Sequence, residues 1–296
     1  MQGHTDAAWR HAHRRVFGDG VRYFSPFLRI EKGEVRRRDL RDITSPLNEG
    51  SGLTPQLIFG TADELAALTD TVRACGYSTA DLNLGCPFPP QCRHGRGAGL
   101  LARPEVLAEA ADVIASATDI GFSVKMRLGL ERPDEWEAVM PVINSMRLTH
   151  ITVHPRTARQ QYSGPLSDSS IFEASAHPVI FNGDILSPAD IESVRQRHPS
   201  LAGVMAGRGL LGRPSLFAEW LSGEERDHAR RLSDLLQMHS MILDCYTSSL
   251  CGESQILSKI KPFWEYAAEE IGPKAYKNIR KARSLEKYLG ILSSLD

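Results

Sequence analysis

The chain has 296 residues, of which 42% are apolar and 24% charged, and a formal net charge of −1. That length suits one α/β barrel with a small appended domain and exceeds what a single compact bundle needs. No apolar run approaches the roughly 18 residues of a membrane span, and the near-neutral balance argues against wholesale nucleic-acid binding, so any RNA partner must be argued from local patches.

Apolar periodicity predicts a helix over 6–17 and then alternating strands and helices. Strands are expected at 21–28, 55–59, 79–84, 122–127, 150–154, 179–182 and 203–206, with helices at 62–75, 104–117, 134–146, 167–175, 188–197 and 214–221. Thr61 followed by Glu64 reads as a capping box, and Ser187-Pro188 as an N-cap with proline at the first helical position. This alternation predicts a parallel sheet closed into a (β/α)8 TIM barrel. Seven strands are countable, so the barrel's first strand is expected upstream of Met1, on roughly 6–10 further residues of the natural protein. Past residue 222 strand character disappears. Three helices are expected at 224–250, 255–271 and 273–292, which divides the chain into a barrel domain, 1–222, and a helical domain, 223–296.

Polar residues recur where the strands end, as a shared catalytic mouth at the C-terminal rim of a barrel requires. The segments are DLNLGCP (81–87), VKMR (124–127), TVHPRT (152–157), FNGD (181–184) and AGRG (206–209). Cys86 stands on a rim loop followed by a glycine-rich stretch, 94–99, that reads as mobile; a thiol there can donate a proton to a substrate carbon, although a lone cysteine is as readily a small buried residue. Lys125 and Arg127 alternate with Val124 and Met126, so both cations leave the strand on one side. An inward ammonium is costly without a partner, and a flavin's pyrimidine ring could accept from it. His154 and Arg156 repeat the pattern one strand later. Asn182-Gly183-Asp184 and Gly207-Arg208-Gly209 combine close backbone approach with polar groups, as phosphate sites after the last two barrel strands do. Phe88-Pro89-Pro90 stiffens the chain directly after the cysteine. Five cysteines at irregular spacing predict a reducing cytoplasm rather than a disulfide framework, and Cys86 and Cys92 lack zinc-ribbon spacing, so no metal is expected.

Together these residues resemble the tRNA-dihydrouridine synthases, FMN-dependent enzymes that reduce uridine in tRNA. The likeness spans nearly the whole chain, from Met1-Gln2-Gly3-His4-Thr5-Asp6, which is similar to the family's A-P-M-x-G-x-T-D opening without its first two residues, to the helical tail. DLNLGCP is its most specific part. The resemblance implies that Cys86 is the proton donor and that FMN is held by Met1, Gln2, Gln56, Lys125, His154, Asn182, Gly183, Asp184, Gly207 and Arg208. It places Asn83 and Arg156 near the target uracil, with Arg127 on the substrate side, and implies NADPH as reductant. It also turns Lys259 and Lys261 toward tRNA; Arg283 belongs to the same basic tail. A cytoplasmic monomer with tRNA as partner is expected. A flavin barrel acting on a free dihydropyrimidine or dihydroorotate, or an RNA-binding relative without turnover, are the competing readings.

Overall fold

A computed structural model describes residues 1–167 and 170–295. Six parallel strands pair in chain order: β1 (Gln56–Leu57), β2 (Thr79–Leu84), β3 (Gly121–Gly129), β4 (Leu148–Thr157), β5 (Val179–Asn182) and β6 (Gly203–Met205). Strands β2 and β5 keep their predicted bounds. Strands β3 and β4 run longer and are buried almost throughout, as expected of parallel strands covered on both faces.

The predicted strand at 21–28 is irregular. It touches its neighbour through two isolated bridges, Phe24 with Thr54 and Leu28 with Leu57, because Pro26 lies between them and has no N–H to donate. Hydrogen bonds from Leu28 to Gln56 (2.7 Å) and from Ile58 to Leu28 (3.0 Å) still hold it beside β1, where a seventh barrel strand belongs. A small antiparallel hairpin, Ile30–Glu31 with Glu34–Val35, follows and was not legible in the pattern. It turns at Lys32 and Gly33, both at positive φ (53° and 82°), the geometry of a two-residue hairpin turn.

Helix α1 (Ala7–Phe17) begins at Asp6, whose carboxylate accepts from the Trp9 amide. Helix α2 (Ala62–Ala74) begins at Thr61 as predicted, but Glu64 turns its carboxylate to the Gly60 amide and to Arg96 instead of closing a full capping box. Helices α3 (Pro104–Ser116) and α4 (Pro188–Arg197) keep their places, and Ser187 with Asp190 forms the complete box. The helix predicted over 134–146 breaks into a 3-10 turn (Glu135–Ala138) and a short helix (Met140–Ser145), because Pro141 cannot donate to the preceding turn. Of the predicted 167–175 helix only Ile171–Ala174 is helical, and residues 168 and 169 lie outside the described residues.

The tail is helical but more divided than predicted. Helix α5 (His228–Ser249) lies along α1, and α6 (Glu253–Ile260) follows. Pro262 then forces a 3-10 turn, Lys261–Trp264, before short helices at Ala268–Ile271, Pro273–Lys281 and Leu285–Leu292. One continuous apolar core joins Leu82, Val124 and Ile151 of the sheet to Trp9 and Ala12 of α1 and on to Leu235, Met238 and Ile242 of α5. The tail is thereby packed onto the barrel as part of the same interior.

Candidate active site

A cavity of about 1160 Å³ runs from the C-terminal ends of the strands along the irregular 21–28 segment to the opposite rim at Thr149, His150 and Pro178, and the candidate residues gather at its C-terminal end. Cys86 stands at its wall just past β2, and its loop is fixed by a relay of side chains. Buried Asp81 accepts from Ser123 (2.7 Å) and from the Gln56 amide (2.7 Å); Gln56 accepts from Asn83 (2.7 Å); Asn83 accepts from the backbone amides of Gly85 (3.1 Å) and Cys86 (2.8 Å). Burial pushes the Asp81 carboxyl up, while its hydrogen bonds and the charge of Lys125 pull it back. Gln56 and Asn83 both line the cavity, yet their amides are spent largely on each other and on orienting the cysteine loop.

Burial also pushes the Cys86 thiol up, against the Phe88 amide and the charges of Arg127 and Lys125, so at neutral pH it keeps its proton. That is the state a proton donor needs. The glycine stretch expected to be mobile is packed instead. Residues Gly97–Ala102 form a 3-10 helix with Gly97 through Leu101 buried, and Ala98 donates to the Cys86 carbonyl (3.1 Å). At Gly97 a Cβ would stand 2.8 Å from that of Cys86, and φ is +59°. These glycines permit close approach rather than motion.

Lys125 and Arg127 share one side of β3, as their alternation predicts, and that side faces the cavity. Among the described residues the Lys125 ammonium makes no hydrogen bond or ion pair, and burial together with Arg127 lowers it to about 8 despite Asp81. An unpaired cation aimed into a cavity fits an electron-rich ring edge with acceptor oxygens. Arg127 is anchored by the carbonyls of Gly85 (2.9 Å) and Thr157 (2.9 Å), and its guanidinium lies over the Tyr162 ring, 5.3 Å from the centroid.

His154 is held neutral, at about 2, by burial and by four neighbouring cations. Its Nε2 lies 3.3 Å from an Arg156 nitrogen that can only donate, so Nε2 accepts and Nδ1 carries the hydrogen. Arg156 is behind the wall. It is committed to Asp184 (2.9 Å) and to the Gly164 carbonyl (2.6 Å) and does not itself line the cavity, so it holds Asp184 in the wall.

Asn182, Gly183, Asp184, Gly207 and Arg208 come together on the far wall. Asn182 donates to the Met205 carbonyl (2.8 Å), tying β5 to β6. Asp184, at positive φ, is the one carboxylate lining the cavity among the described residues, and hydrogen bonds from Arg156 foremost keep its carboxyl below the usual range. Arg208 pairs with it at 3.0 Å and also lies over the Tyr162 ring, 4.7 Å from the centroid. A side chain at Gly209 would collide with the Ile185 carbonyl (1.9 Å), so only glycine lets the two loops meet. Met1 and Gln2 also reach the cavity.

Tyr162, in contact with two guanidinium groups and 47% exposed, had no motif to announce it. Neither had Tyr266, which brings the tail to the cavity mouth, packed edge-on against His4 at 5.1 Å. The three predicted tail cations lie away from the cavity. Lys259 is paired with Asp6 (2.5 Å), and Lys261 hydrogen-bonds the carbonyls of Arg280 (3.4 Å) and Ala282. Arg283 forms no ion pair among the described residues. No group of three or more His, Cys, Asp or Glu side chains there is placed to hold a metal, and no helix is long and apolar enough to cross a membrane.

A barrel whose rim joins a protonated thiol, an unpaired lysine and a glycine-lined anion wall defines a flavin-dependent oxidoreductase. The fold agrees with solved barrels of low sequence identity: morphinone reductase (TM-score 0.52, 10% identity, 76% of this chain and 83% of that one) and a variant of NCR from Zymomonas mobilis (TM-score 0.51, 12% identity, 77% and 84%). The family model for dihydrouridine synthase (Dus) matches residues 1–284, and the chain belongs to that family. It is similar to a probable tRNA-dihydrouridine synthase of Staphylococcus aureus strain COL, at 31% identity over 83% of this chain and 76% of that protein. It also resembles tRNA-dihydrouridine synthase B of Pseudomonas putida, at 29% identity over 55% of this chain and 50% of that protein, and a human tRNA-dihydrouridine(20a/20b) synthase [NAD(P)+]-like protein, at 32% over 62% and 59%.

Proposed function

We propose that this chain reduces the 5,6-double bond of a uridine in tRNA, with FMN as its flavin and NADPH as reductant. The observation that carries the reading is that Lys125, uncompensated, and the protonated Cys86 thiol line the same cavity at its C-terminal end. FMN, when bound and reduced, supplies the hydride for carbon 6 of the uracil.

The chain's own residues do the rest. Lys125 and His154 would hold the polar edge of the ring, with Gln56 and Gln2 closing the side below. Gly183, Gly207 and Arg208 would take the phosphate, Arg208 through the guanidinium donors that Asp184 leaves free. Cys86 holds the proton for carbon 5 at a sulfur whose loop is oriented by Asn83. A base inside folded RNA reaches such a mouth only by leaving its stack, at a cost of a few kcal/mol, and Arg127 and Tyr162, both lining the cavity, would receive it. Residues 223–296 would act as the RNA-binding domain, with Arg283 and Lys261 offering phosphate contacts and Lys259 fixing the tail in place. The chain is read as a cytoplasmic monomer that needs no metal.

Incubating the purified protein with FMN, NADPH and an unmodified tRNA transcript should give a two-hydrogen mass gain on uridine, and none on free uracil. Cys86→Ala should keep its flavin absorbance and lose most turnover. A transcript left unchanged by the wild-type protein, or near-normal turnover in Cys86→Ala, would overturn the reading.

A further inference from the structure

Phe88 is the most conspicuous side chain that this chemistry leaves without a task. Its ring is 58% exposed, lines the cavity mouth and belongs to neither apolar core cluster. A phenylalanine stabilises a fold by being buried, and this one forgoes most of that. Its backbone is nonetheless held firmly. The Phe88 carbonyl accepts from Gln91 (2.9 Å) and Cys92 (3.1 Å), its amide faces the Cys86 sulfur, and prolines at 87, 89 and 90 fix φ on both sides. A hydrophobic ring is thus presented on a stiff support two residues from the reacting thiol.

Resting on the reading above, we propose that Phe88 is a stacking platform for the nucleotide next to the reduced uridine, filling or propping the gap that opens when that uridine leaves its stack. Phe88 is two residues from Cys86 and lines the same cavity, so the nucleotide flanking a base held at Cys86 is the group its ring would meet. Aromatic faces stack on any base and so tolerate sequence variation. Phe88 stands at the N-cap of a short helix, Pro89–Arg93, and the exposed cation Arg93 ends it, where a phosphate would follow the stacked base. A protein partner fits less well, because a single ring is far from the roughly 1,000 Å² of a stable protein interface.

The test is a cycle of two changes, Phe88→Ala in the protein and an abasic site beside the target uridine in the transcript. Each alone should lower kcat/KM for tRNA about tenfold, within the range measured for single base–aromatic stacks, and the two together should cost little more than either. Phe88→Trp should restore turnover, and KM for NADPH should move less than twofold. Normal kcat/KM in Phe88→Ala, additive losses in the cycle, or a parallel rise in KM for NADPH would each overturn the proposal. A wild-type protein that fails to reduce the intact transcript would instead remove the reading on which it rests.

Discussion

The Lys259 ammonium of α6 lies 2.5 Å from the Asp6 carboxylate that caps α1 and sits over the Tyr246 ring of α5, 5.2 Å from its centroid. Tyr246 donates its hydroxyl to the same carboxylate at 2.9 Å. One side chain of the barrel therefore caps its own helix and gathers two elements of the tail.

Asp6→Ala removes a cap, a hydrogen bond and an ion-pair partner at once, and should cost about 2–3 kcal/mol. Spread over a chain of this size, that lowers Tm by about 4 °C. Lys259→Met keeps the cap and the tyrosine bond and should cost about 1 kcal/mol or less. Calorimetry of the two variants checks the order, and equal losses would mean that Asp6 acts through the ion pair alone.

Gly97→Ala introduces a methyl group 2.8 Å from the Cys86 Cβ at a φ of +59°. Neither the backbone of the cysteine loop nor the left-handed conformation accommodates it. Turnover should fall at least tenfold with flavin absorbance retained, since no residue of the anion wall is touched. Stopped-flow measurement of uridine reduction, alongside the flavin spectrum, separates this from simple loss of cofactor.

Lys125, lowered to about 8 by burial and Arg127, is charged below that pH and neutral above it. FMN affinity of the flavin-free protein should therefore be highest below about pH 8 and weaken as pH rises through it. Titration of FMN by fluorescence between pH 6.5 and about 9.5 would show the step, and in Lys125→Met the profile should be flat and weaker throughout.

His239 of α5 is buried neutral, lowered to about 3, and receives the Tyr288 hydroxyl at 2.6 Å while Trp264 donates to the same oxygen at 2.9 Å. In the unfolded chain a histidine binds its proton near 6.5. The unfolded state therefore takes up the proton first, and stability that is complete above about pH 6.5 drains away as pH falls toward 3. At pH 5 the loss from this residue is on the order of 2 kcal/mol. His13, lowered to about 4 between Tyr23 and the Pro214 carbonyl, adds a loss of the same sign. Urea unfolding at pH 7 and pH 5 measures the sum, and His239→Gln should reduce the difference.

The strand ends and the residues on them were legible because a barrel repeats one unit and sets every strand's C-terminus on one rim. That Lys125 and Arg127 share a side followed from alternation, which left open whether that side faces in, and the rim placement of Cys86 and the two glycine turns followed from their place after a strand. What Arg156 and Lys259 do was not legible. Their partners, Asp184 and Asp6, stand 28 and 253 residues away in the chain, and no local period carries such a pairing. Tyr162 escaped for a similar reason, since its meaning lies in two distant arginines, Arg127 on β3 and Arg208 just after β6. The irregular 21–28 segment and the broken 134–146 helix were misread because apolar pattern outweighed Pro26 and Pro141, whose missing N–H groups decide the local outcome.

From Asp81 through Gln56 and Asn83 to the cysteine loop, every amide has its oxygen and nitrogen assigned by the group before it. An ionised Asp81 can only receive, so Gln56 must present its oxygen outward, Asn83 must do likewise, and the Cys86 N–H must point inward. The polarity of the whole line is thus dictated from its buried end. Replacing any one member by an isostere of opposite donor sense, such as Gln56→Glu, leaves two acceptors face to face, and the sulfur's direction becomes a property that only concerted substitutions could preserve.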